Sequence, residues 1–226
     1  MKEVIVNGSP RGRAGNTEIF IRRFLKGLGR ELPVRYAAQE DAEQLAQELQ
    51  TCSLVLLFTP LYVHAVPGPV QELLGRMRPF AQPGARMGFV VQSGFVEAAQ
   101  SRYAVRLLEA QGRRLGAENL GCAVRGNAAG TAMMGEKGNA ALFQLLERLG
   151  AAFAETGGFD PQTVKALGTP YRLTKRQAMG MELLYRLRIG RVMWYWMLLQ
   201  NRAFRRRRAR PWLGDAPPDS GGQAKK

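Results

Sequence analysis

The sequence predicts a doubly wound α/β domain with a five-stranded parallel sheet, followed by a helical extension. Through residues 1–157, short apolar runs alternate with longer segments of helical periodicity, which is typical of parallel strands joined by helices on both faces of a sheet. The third run, residues 54–58, is wholly apolar, as expected of a central strand that is buried on both faces. After residue 157 this alternation ends and arginines accumulate.

Each element of the domain follows from a local pattern. The predicted strands cover residues 4–7, 33–37, 54–58, 87–91 and 121–124. The predicted helices cover residues 16–31, 41–50, 67–78, 102–115 and 140–156. The first helix spaces Ile19, Phe24 and Leu28 at helical intervals, the second places Leu45 and Leu49 one turn apart, and the third follows a proline-rich loop. The fifth helix ends at a Gly-Gly pair, a common helix terminator.

Length and composition favour one globular domain with an appendage. The chain has 226 residues, of which 46% are hydrophobic and 23% charged, close to ordinary values for a folded protein. The two cysteines, Cys52 and Cys122, match no disulfide or metal-binding spacing, so we expect a reducing compartment and no metal site. Because the N-terminus shows no signal-peptide pattern, we expect a cytoplasmic protein.

An anion-binding loop is predicted between the first strand and the first helix. Residues 8–17 read GSPRGRAGNT and lead directly into the helix. The unpaired N–H groups and the dipole of a helix N-terminus favour a phosphate group. Further hydrogen bonds can come from Ser9, Asn16, Thr17 and either Arg11 or Arg13. The alternative is a solvated glycine turn in which Asn16 or Thr17 caps the helix.

This loop does not match the common nucleotide-binding motifs. Its glycine spacing is not the GxGxxG of dinucleotide-binding proteins, and no Gly-Lys-Ser/Thr follows, as a P-loop would require. Both of those classes are therefore disfavoured.

Two motifs taken together resemble a known family. The first is Gly8-Ser9-Pro10-Arg11 with Gly15-Asn16-Thr17, and the second, about 45 residues later, is Pro60-Leu61-Tyr62 with Pro67-Gly68-Pro69. In this order they resemble the NAD(P)H-dependent FMN reductase branch of the flavodoxin-like superfamily. The resemblance covers residues 1–157. It implies a flavodoxin-like sheet of strand order 2-1-3-4-5, with FMN at the switch point between the first and third strands.

The resemblance also implies which residues hold the cofactor. In that family the first loop grips the FMN phosphate, and the loops after the third and fourth strands border the isoalloxazine ring. By position, the phosphate would be held by Ser9, Arg11, Asn16 and Thr17. The ring would be bordered by Pro60, Leu61, Tyr62, Val63 and His64 from one loop, and by Ser93, Gly94 and Phe95 from the other. His64, the only histidine, either hydrogen-bonds the ring or is simply an exposed loop residue.

The chain departs from the family pattern at two places. Iron–sulfur flavoproteins with a similar first loop carry a cysteine cluster before the third strand, where this chain has only Cys52, so no cluster is expected. Residues 126–137 are rich in glycine and methionine. They either cover the flavin or form a mobile loop.

The resemblance implies an enzyme in which NAD(P)H reduces bound FMN and the flavin passes electrons to a small acceptor, such as a quinone or free flavin. No catalytic acid, base or nucleophile is expected from the protein, because the flavin itself accepts the hydride. One alternative is a flavodoxin-type electron carrier, although carriers usually present an acidic face and this chain has a formal net charge of +15. Another is a membrane-associated flavodoxin-like module without its own substrate.

The C-terminal extension, assigned to residues 158–213, holds most of the net positive charge. Residues 175–210 contain 11 Lys or Arg and one acidic residue. Residues 159–170 are expected to be irregular, and residues 174–204 to form one or two helices with Thr174 as a cap.

Three interpretations of this extension remain open at the level of the sequence. An aromatic, apolar run at residues 192–199 is too short to cross a bilayer and is followed by six arginines. The segment packs on its own domain or in a homodimer, rests on an anionic membrane surface at the inner face of the membrane, or binds nucleic acid, which is the least favoured. Residues 214–226 are expected to be disordered.

Overall fold

Five apolar segments form one parallel sheet in the computed structural model of the chain, which describes residues 2–187 and 189–210. The strands are β1 (Glu3–Asn7), β2 (Val34–Tyr36), β3 (Leu54–Pro60), β4 (Arg86–Gln92) and β5 (Glu118–Arg125). Their order is β2-β1-β3-β4-β5, which confirms the predicted topology. Every residue of β3 is buried, because this strand lies in the middle of the sheet and both of its faces are covered.

Helices cover both faces of the sheet. In chain order they are α1 (Asn16–Leu28), α2 (Ala42–Gln50), α3 (Gly68–Arg76), α4 (Arg102–Arg114), α5 (Thr131–Thr156) and α6 (Pro161–Leu167). One apolar core joins the sheet to α2, α3 and α4, and the other joins it to α1, α5 and α6. Successive strand residues point to opposite faces, so Val4 and Val6 lie in the first core and Ile5 in the second.

Helices α1 and α5 cross at two glycines. A Cβ at Gly27 would overlap the backbone carbonyl of Glu147, and a Cβ at Gly150 would overlap the carbonyl of Phe24. The two backbones therefore approach more closely than any side chain would allow. This contact fixes the position of α1, whose N-terminus lies at the carboxyl end of β1.

The prediction of irregular structure over residues 159–170 is wrong. Helix α6 forms there because the Asp160 carboxylate caps it, accepting hydrogen bonds from the backbone N–H groups of Gln162 and Thr163, and because Pro161 is well suited to the first helical turn. Leu167 is buried in the second core. The first compact unit, Met1–Arg172, accordingly extends past residue 157.

Helix α5 begins at Thr131, nine residues before the predicted start. Its first turn is set off by Gly135, whose φ of 60° is not helical. The buried Asn139 amide holds this turn in place, donating hydrogen bonds to the carbonyls of Thr131 (2.8 Å) and Gly135 (2.7 Å). The predicted termination of α5 at Gly157 is confirmed, since that glycine adopts the left-handed conformation of a C-cap.

The second compact unit, Leu173–Lys226, contains two separate helices, α7 (Lys175–Arg186) and α8 (Ile189–Gln200). The predicted Thr174 cap is confirmed, and it forms a capping box with Gln177. A short 3-10 turn, Phe204–Arg206, follows α8. The predicted disordered tail, residues 214–226, lies outside the described residues.

Candidate functional site

A cavity of about 500 Å³ opens at the carboxyl ends of the strands in the first unit. Its walls come from the loops after β1, β3, β4 and β5. In a sheet of this order the connections from β1 and β3 leave on opposite faces, so their loops diverge and create a crevice. The volume lies within the range of about 300–1,000 Å³ that is typical of small-molecule sites.

Ten of the twelve residues predicted for the site line this cavity. They are Ser9, Arg11, Asn16, Pro60, Leu61, Tyr62, Val63, Ser93, Gly94 and Phe95. Thr17 and His64 do not line it, and each instead contacts a residue that does. The lining residues that sequence analysis missed are Gly15, Gln92, Ala128 and Ala129.

The loop after β1 is wound tightly around Ser9. The Ser9 N–H donates to the side-chain oxygen of Asn7 (3.0 Å), and its hydroxyl oxygen accepts from the N–H of Arg11 (3.2 Å). Asn7, at the end of β1, also donates to the buried Glu18 carboxylate (3.2 Å). Asn7 thereby ties the loop to the first turn of α1.

The N-terminus of α1 carries no side-chain cap. Its N-cap residue is Gly15, in an extended conformation, so the alternative in which Asn16 or Thr17 caps the helix is wrong. A Cβ at Gly15 would lie 2.7 Å from the Ser9 hydroxyl oxygen. A larger residue at this position would therefore crowd the loop.

Asn16 joins two walls of the cavity. Its amide nitrogen donates to the carbonyls of Ala128 (2.8 Å) and Ala129 (3.1 Å), and its amide oxygen accepts from the N–H of Ala132 (3.2 Å). The loop after β5 is thus held against the loop after β1. The sequence offers no local signal for this wall, because the bonded residues are more than 110 positions apart.

Two buried polar atoms at the end of β4 have no hydrogen-bond partner among the described residues. Gln92, which is 6% exposed, donates from its amide nitrogen to the Thr17 hydroxyl (2.8 Å), but its amide oxygen is unpaired. The hydroxyl of Ser93, which is 3% exposed, is also unpaired. Buried polar groups are nearly always satisfied in folded proteins, so a ligand in the cavity would complete both. A polar residue directly after an apolar strand was the signal for Gln92.

A tight turn forms the wall after β3. Val63 (φ 48°) and His64 (φ 68°) are both left-handed, and Tyr62 and Ala65 exchange backbone hydrogen bonds of 2.9 and 3.0 Å. The His64 ring stacks on Phe95, with centroids 4.7 Å apart and planes 7° from parallel. This stack links the loops after β3 and β4.

The two arginines of the first loop occupy different places. Arg11 lines the cavity, whereas the guanidinium of Arg13 lies over the ring of Tyr36, 5.3 Å from its centroid. Burial and the adjacent Glu18 carboxylate raise the pKa of Tyr36, so its hydroxyl stays protonated and donates to Glu18 (3.2 Å). Arg11 is thus the arginine available to an anion in the cavity.

The cysteines lie in apolar surroundings away from the cavity walls. Cys52 is buried in the first core and Cys122 packs against it. Burial raises the pKa of both thiols, which disfavours the reactive thiolate. Within residues 2–187 and 189–210, no three His, Cys, Asp or Glu side chains lie together as a metal site would require.

No protein-family model matches this sequence, and no curated protein is significantly similar to it. Several solved structures share its fold. An FMN-dependent NADH-azoreductase from Bacillus anthracis, solved in complex with FMN, aligns with a TM-score of 0.53 at 12% identity, over 68% of this chain and 100% of that one. An NADH:FMN oxidoreductase in its apo form aligns with a TM-score of 0.50 at 16% identity, over 75% of this chain and 96% of that one.

The Trp repressor binding protein from Bacillus subtilis gives a similar result, with a TM-score of 0.50 at 15% identity over 66% of this chain and 97% of that one. Identities this low establish architecture and not activity. Together with the strand order β2-β1-β3-β4-β5, these similarities show that the chain has the flavodoxin-like fold that its sequence predicts.

Proposed function

We propose that the first unit is an FMN-dependent oxidoreductase that takes electrons from NADH or NADPH and passes them to a small acceptor, such as a quinone or free flavin. The observation that carries the proposal is the cavity at the β1–β3 switch point, where the Gln92 amide oxygen and the Ser93 hydroxyl are buried without partners. The solved structures that share the fold support it, since one holds FMN and two are described as NADH-linked flavin enzymes.

The phosphate end of FMN fits the loop after β1. The uncapped N-terminus of α1 offers N–H groups and a favourable dipole, and Arg11 adds a positive charge at the cavity wall. Gly15 leaves room beside the Ser9 hydroxyl, which can still donate a hydrogen bond. We assign Ser9 and Arg11 to the phosphate, and Asn16 and Thr17 to holding the walls around it.

The flavin ring fits the walls after β3 and β4. Pro60, Leu61 and Val63 provide apolar surface, and the aromatic rings of Tyr62 and Phe95 can pack on a planar ligand. His64 supports Phe95 by stacking. Gln92 and Ser93 offer an acceptor and a donor to the polar groups of the ligand.

When bound, FMN supplies the redox chemistry, because its ring accepts a hydride from a nicotinamide and releases electrons to an acceptor. The residues of this chain bind the cofactor, fix its orientation and exclude water from one side of it. No protein acid or base is required in this scheme.

The first experiment measures cofactor binding and reduction in the full-length protein. We expect purified protein, or protein mixed with FMN, to show the visible absorption of bound oxidised flavin. Under anaerobic conditions NADH or NADPH should bleach it without an added reductase. Bound flavin that neither donor bleaches would indicate an electron carrier. Failure to bind FMN at all would overturn the proposal and favour a module without a cofactor.

The second experiment tests the phosphate assignment. Arg11→Gln should lower the affinity for FMN by about 10- to 100-fold, as expected for the loss of a hydrogen bond to a charged group. The affinity for riboflavin should stay nearly unchanged. Arg13→Gln is the matched control, because Arg13 lies over Tyr36 and should affect neither ligand strongly. Equal losses for FMN and riboflavin in the Arg11 variant would show that the phosphate lies elsewhere.

A further inference from the structure

We propose that the second unit docks on the surface of an anionic phospholipid bilayer, through α7, α8 and the arginines that follow them. This inference rests on residues 173–210 alone and is independent of the proposed enzyme function.

The first observation is the exposure of large apolar side chains. No residue of α7 is buried, and exposed aromatic residues include Tyr185 (84%), Trp194 (54%) and Trp196 (48%). So many large apolar side chains exposed within one short segment indicate a surface that another molecule covers. Tryptophan and tyrosine are also the residues that concentrate at membrane–water interfaces.

The second observation is the distribution of these residues around α8. Successive residues of a helix point about 100° apart, so the consecutive Trp194, Tyr195 and Trp196 cannot share one narrow stripe, and all three are exposed. An amphipathic helix that covers a protein core has one apolar stripe and one polar face. A helix that is apolar around most of its circumference is normally buried in a protein core or in a membrane, so the exposure of α8 indicates that another apolar phase covers it.

The length of α8 determines how it can meet a membrane. Its 12 residues span about 18 Å, whereas a bilayer core is about 30 Å thick. Within the described part of the chain, no helix is both long and apolar enough to cross a membrane. The helix therefore fits a position along the interface.

The third observation is charge. Between residues 175 and 210 the sequence has one acidic residue, Glu182, and it already pairs with Arg186 at 2.7 Å. The arginines at positions 205–208 are all exposed. Each basic residue near an anionic leaflet adds to the attraction between the protein and the membrane.

The charge and the apolar side chains of this surface together favour a bilayer over other binding partners. A second copy of residues 175–210 would bring the same positive cluster, with only Glu182 to offset it. A nucleic acid would engage the arginines but leave the apolar surface around Val192 and Leu199 in water. An anionic bilayer satisfies both features at once.

The test uses the full-length chain and vesicles of phosphatidylcholine alone or mixed with phosphatidylglycerol. All three tryptophans lie at positions 194, 196 and 212, so tryptophan emission reports on the C-terminal part of the chain. We expect co-sedimentation and a blue shift with the mixed vesicles at low salt, and weak binding to the neutral ones. Binding should weaken at high salt, because salt screens the arginines.

Two sets of four substitutions separate local charge from total charge. Replacing Arg205, Arg206, Arg207 and Arg208 by Gln should weaken vesicle binding by roughly 5-fold per arginine. The matched control carries Gln at four exposed basic positions of the first unit, Arg78, Arg113, Arg148 and Lys165. This variant should bind vesicles like the unmodified chain. Thermal melting of each variant verifies that the fold is intact.

Several results would overturn the proposal. One is full-length protein that ignores the mixed vesicles at low salt. Another is equal loss of binding in the two sets of variants. A third is a Trp194→Ser, Trp196→Ser variant that keeps full vesicle affinity. A fourth is an unmodified chain that forms a dimer and does not bind vesicles, together with a Trp194→Ser, Trp196→Ser variant that is monomeric. That result would assign the surface to self-association.

Discussion

Val63 adopts a left-handed backbone conformation (φ 48°) that β-branched residues rarely occupy. With His64 (φ 68°) it forms a turn that both neighbours close by backbone hydrogen bonds. Turns with two left-handed central residues prefer Asn-Gly, so Val-His here is a strained choice. Strain of this kind costs of order 1–3 kcal/mol and persists where surrounding structure enforces it. Here it places Tyr62 and Val63 on the cavity wall.

This strain leads to a prediction about stability. Val63→Asn should raise the free energy of unfolding by up to about 1 kcal/mol, because asparagine tolerates the left-handed conformation. Val63→Ala is the control. It removes the β-branch but lacks the tolerance of asparagine for the left-handed conformation, so it should bring a smaller gain. Chemical denaturation of the ligand-free protein measures both. If neither variant is more stable than the unmodified chain, the turn is not strained.

Gln92 provides the second prediction at this scale. Gln92→Leu should lower the affinity for FMN by about 10-fold or more, because the ligand loses the amide oxygen that the structure leaves unpaired. The ligand-free protein should change in stability by only about 1 kcal/mol, since an unsatisfied buried oxygen is removed along with the bond to Thr17. Thr17→Val, which removes that bond but keeps the Gln92 oxygen, is the comparison. FMN affinity that is unaltered in the Gln92 variant would place the ligand away from β4.

The site was predictable where its residues are contiguous in sequence. Ser9 and Arg11 belong to a glycine-rich loop before a helix, and Tyr62 to a proline-bounded motif after a buried strand. Gln92 was missed although it directly follows the predicted strand, which ended at residue 91. Ala128 is held in the site by the Asn16 amide and by its own N–H, which donates to the Ser93 carbonyl (2.8 Å), and no local pattern carries such long-range bonds.

At the scale of helices, the crossing of α1 and α5 is the most restrictive contact of the fold. Gly150→Ala should lower the free energy of unfolding by about 1–3 kcal/mol or more, because its methyl group would meet the backbone of Phe24. Gly75→Ala in α3 is the matched control: apart from its chain neighbours and its own helical backbone, no atom of the described residues lies within 4 Å of its Cβ position, so the variant should gain up to about 1 kcal/mol from helix propensity. Urea titration compares the two. Similar stabilities would show that the helices can separate without cost.

Strands and amphipathic helices were predictable because burial imposes a period on the sequence. The first and last residues of the helices and strands were harder to predict. The start of α5 was missed because Gly135 and Gly138 interrupt the helical pattern, and the buried Asn139 that stabilises the turn acts through tertiary contacts. Helix α6 was missed although Asp160-Pro161 is a recognisable helix start, because its seven residues are too few to show periodicity.

For the molecule as a whole, carboxylates in ion pairs connect stability to pH. Hydrogen bonds from Lys26 and Arg23 lower the pKa of Glu147, and hydrogen bonds from Lys2 and Arg35 lower that of Glu48. A carboxyl with a depressed pKa in the folded state stabilises the fold above its unfolded pKa, here 4.5, and that contribution is lost as the pH falls through the folded value. Acid should therefore weaken the fold.

This gives a fourth prediction. Glu147→Gln should cost no more than about 1 kcal/mol at neutral pH, because the pair is partly solvated, and the difference should disappear in acid, where the native carboxyl is protonated. Thermal melts across the acid range check it. Glu155→Gln, an exposed residue of the same helix, serves as control and should follow the unmodified chain at every pH. A constant difference between the Glu147 variant and the parent would remove the ion pairs as its cause.

The bond between Asn16 and the loop after β5 also has a consequence for the order in which the molecule is made. The wall of the cavity joins residue 16 to residues 128, 129 and 132, and contacts this distant in sequence form late, after the intervening chain has collapsed. A growing polypeptide that has emerged only through β4 already contains the loop after β1 but has no complete pocket. A ligand in the cavity would therefore stabilise only the completed α/β unit. It would not help an incomplete chain to fold.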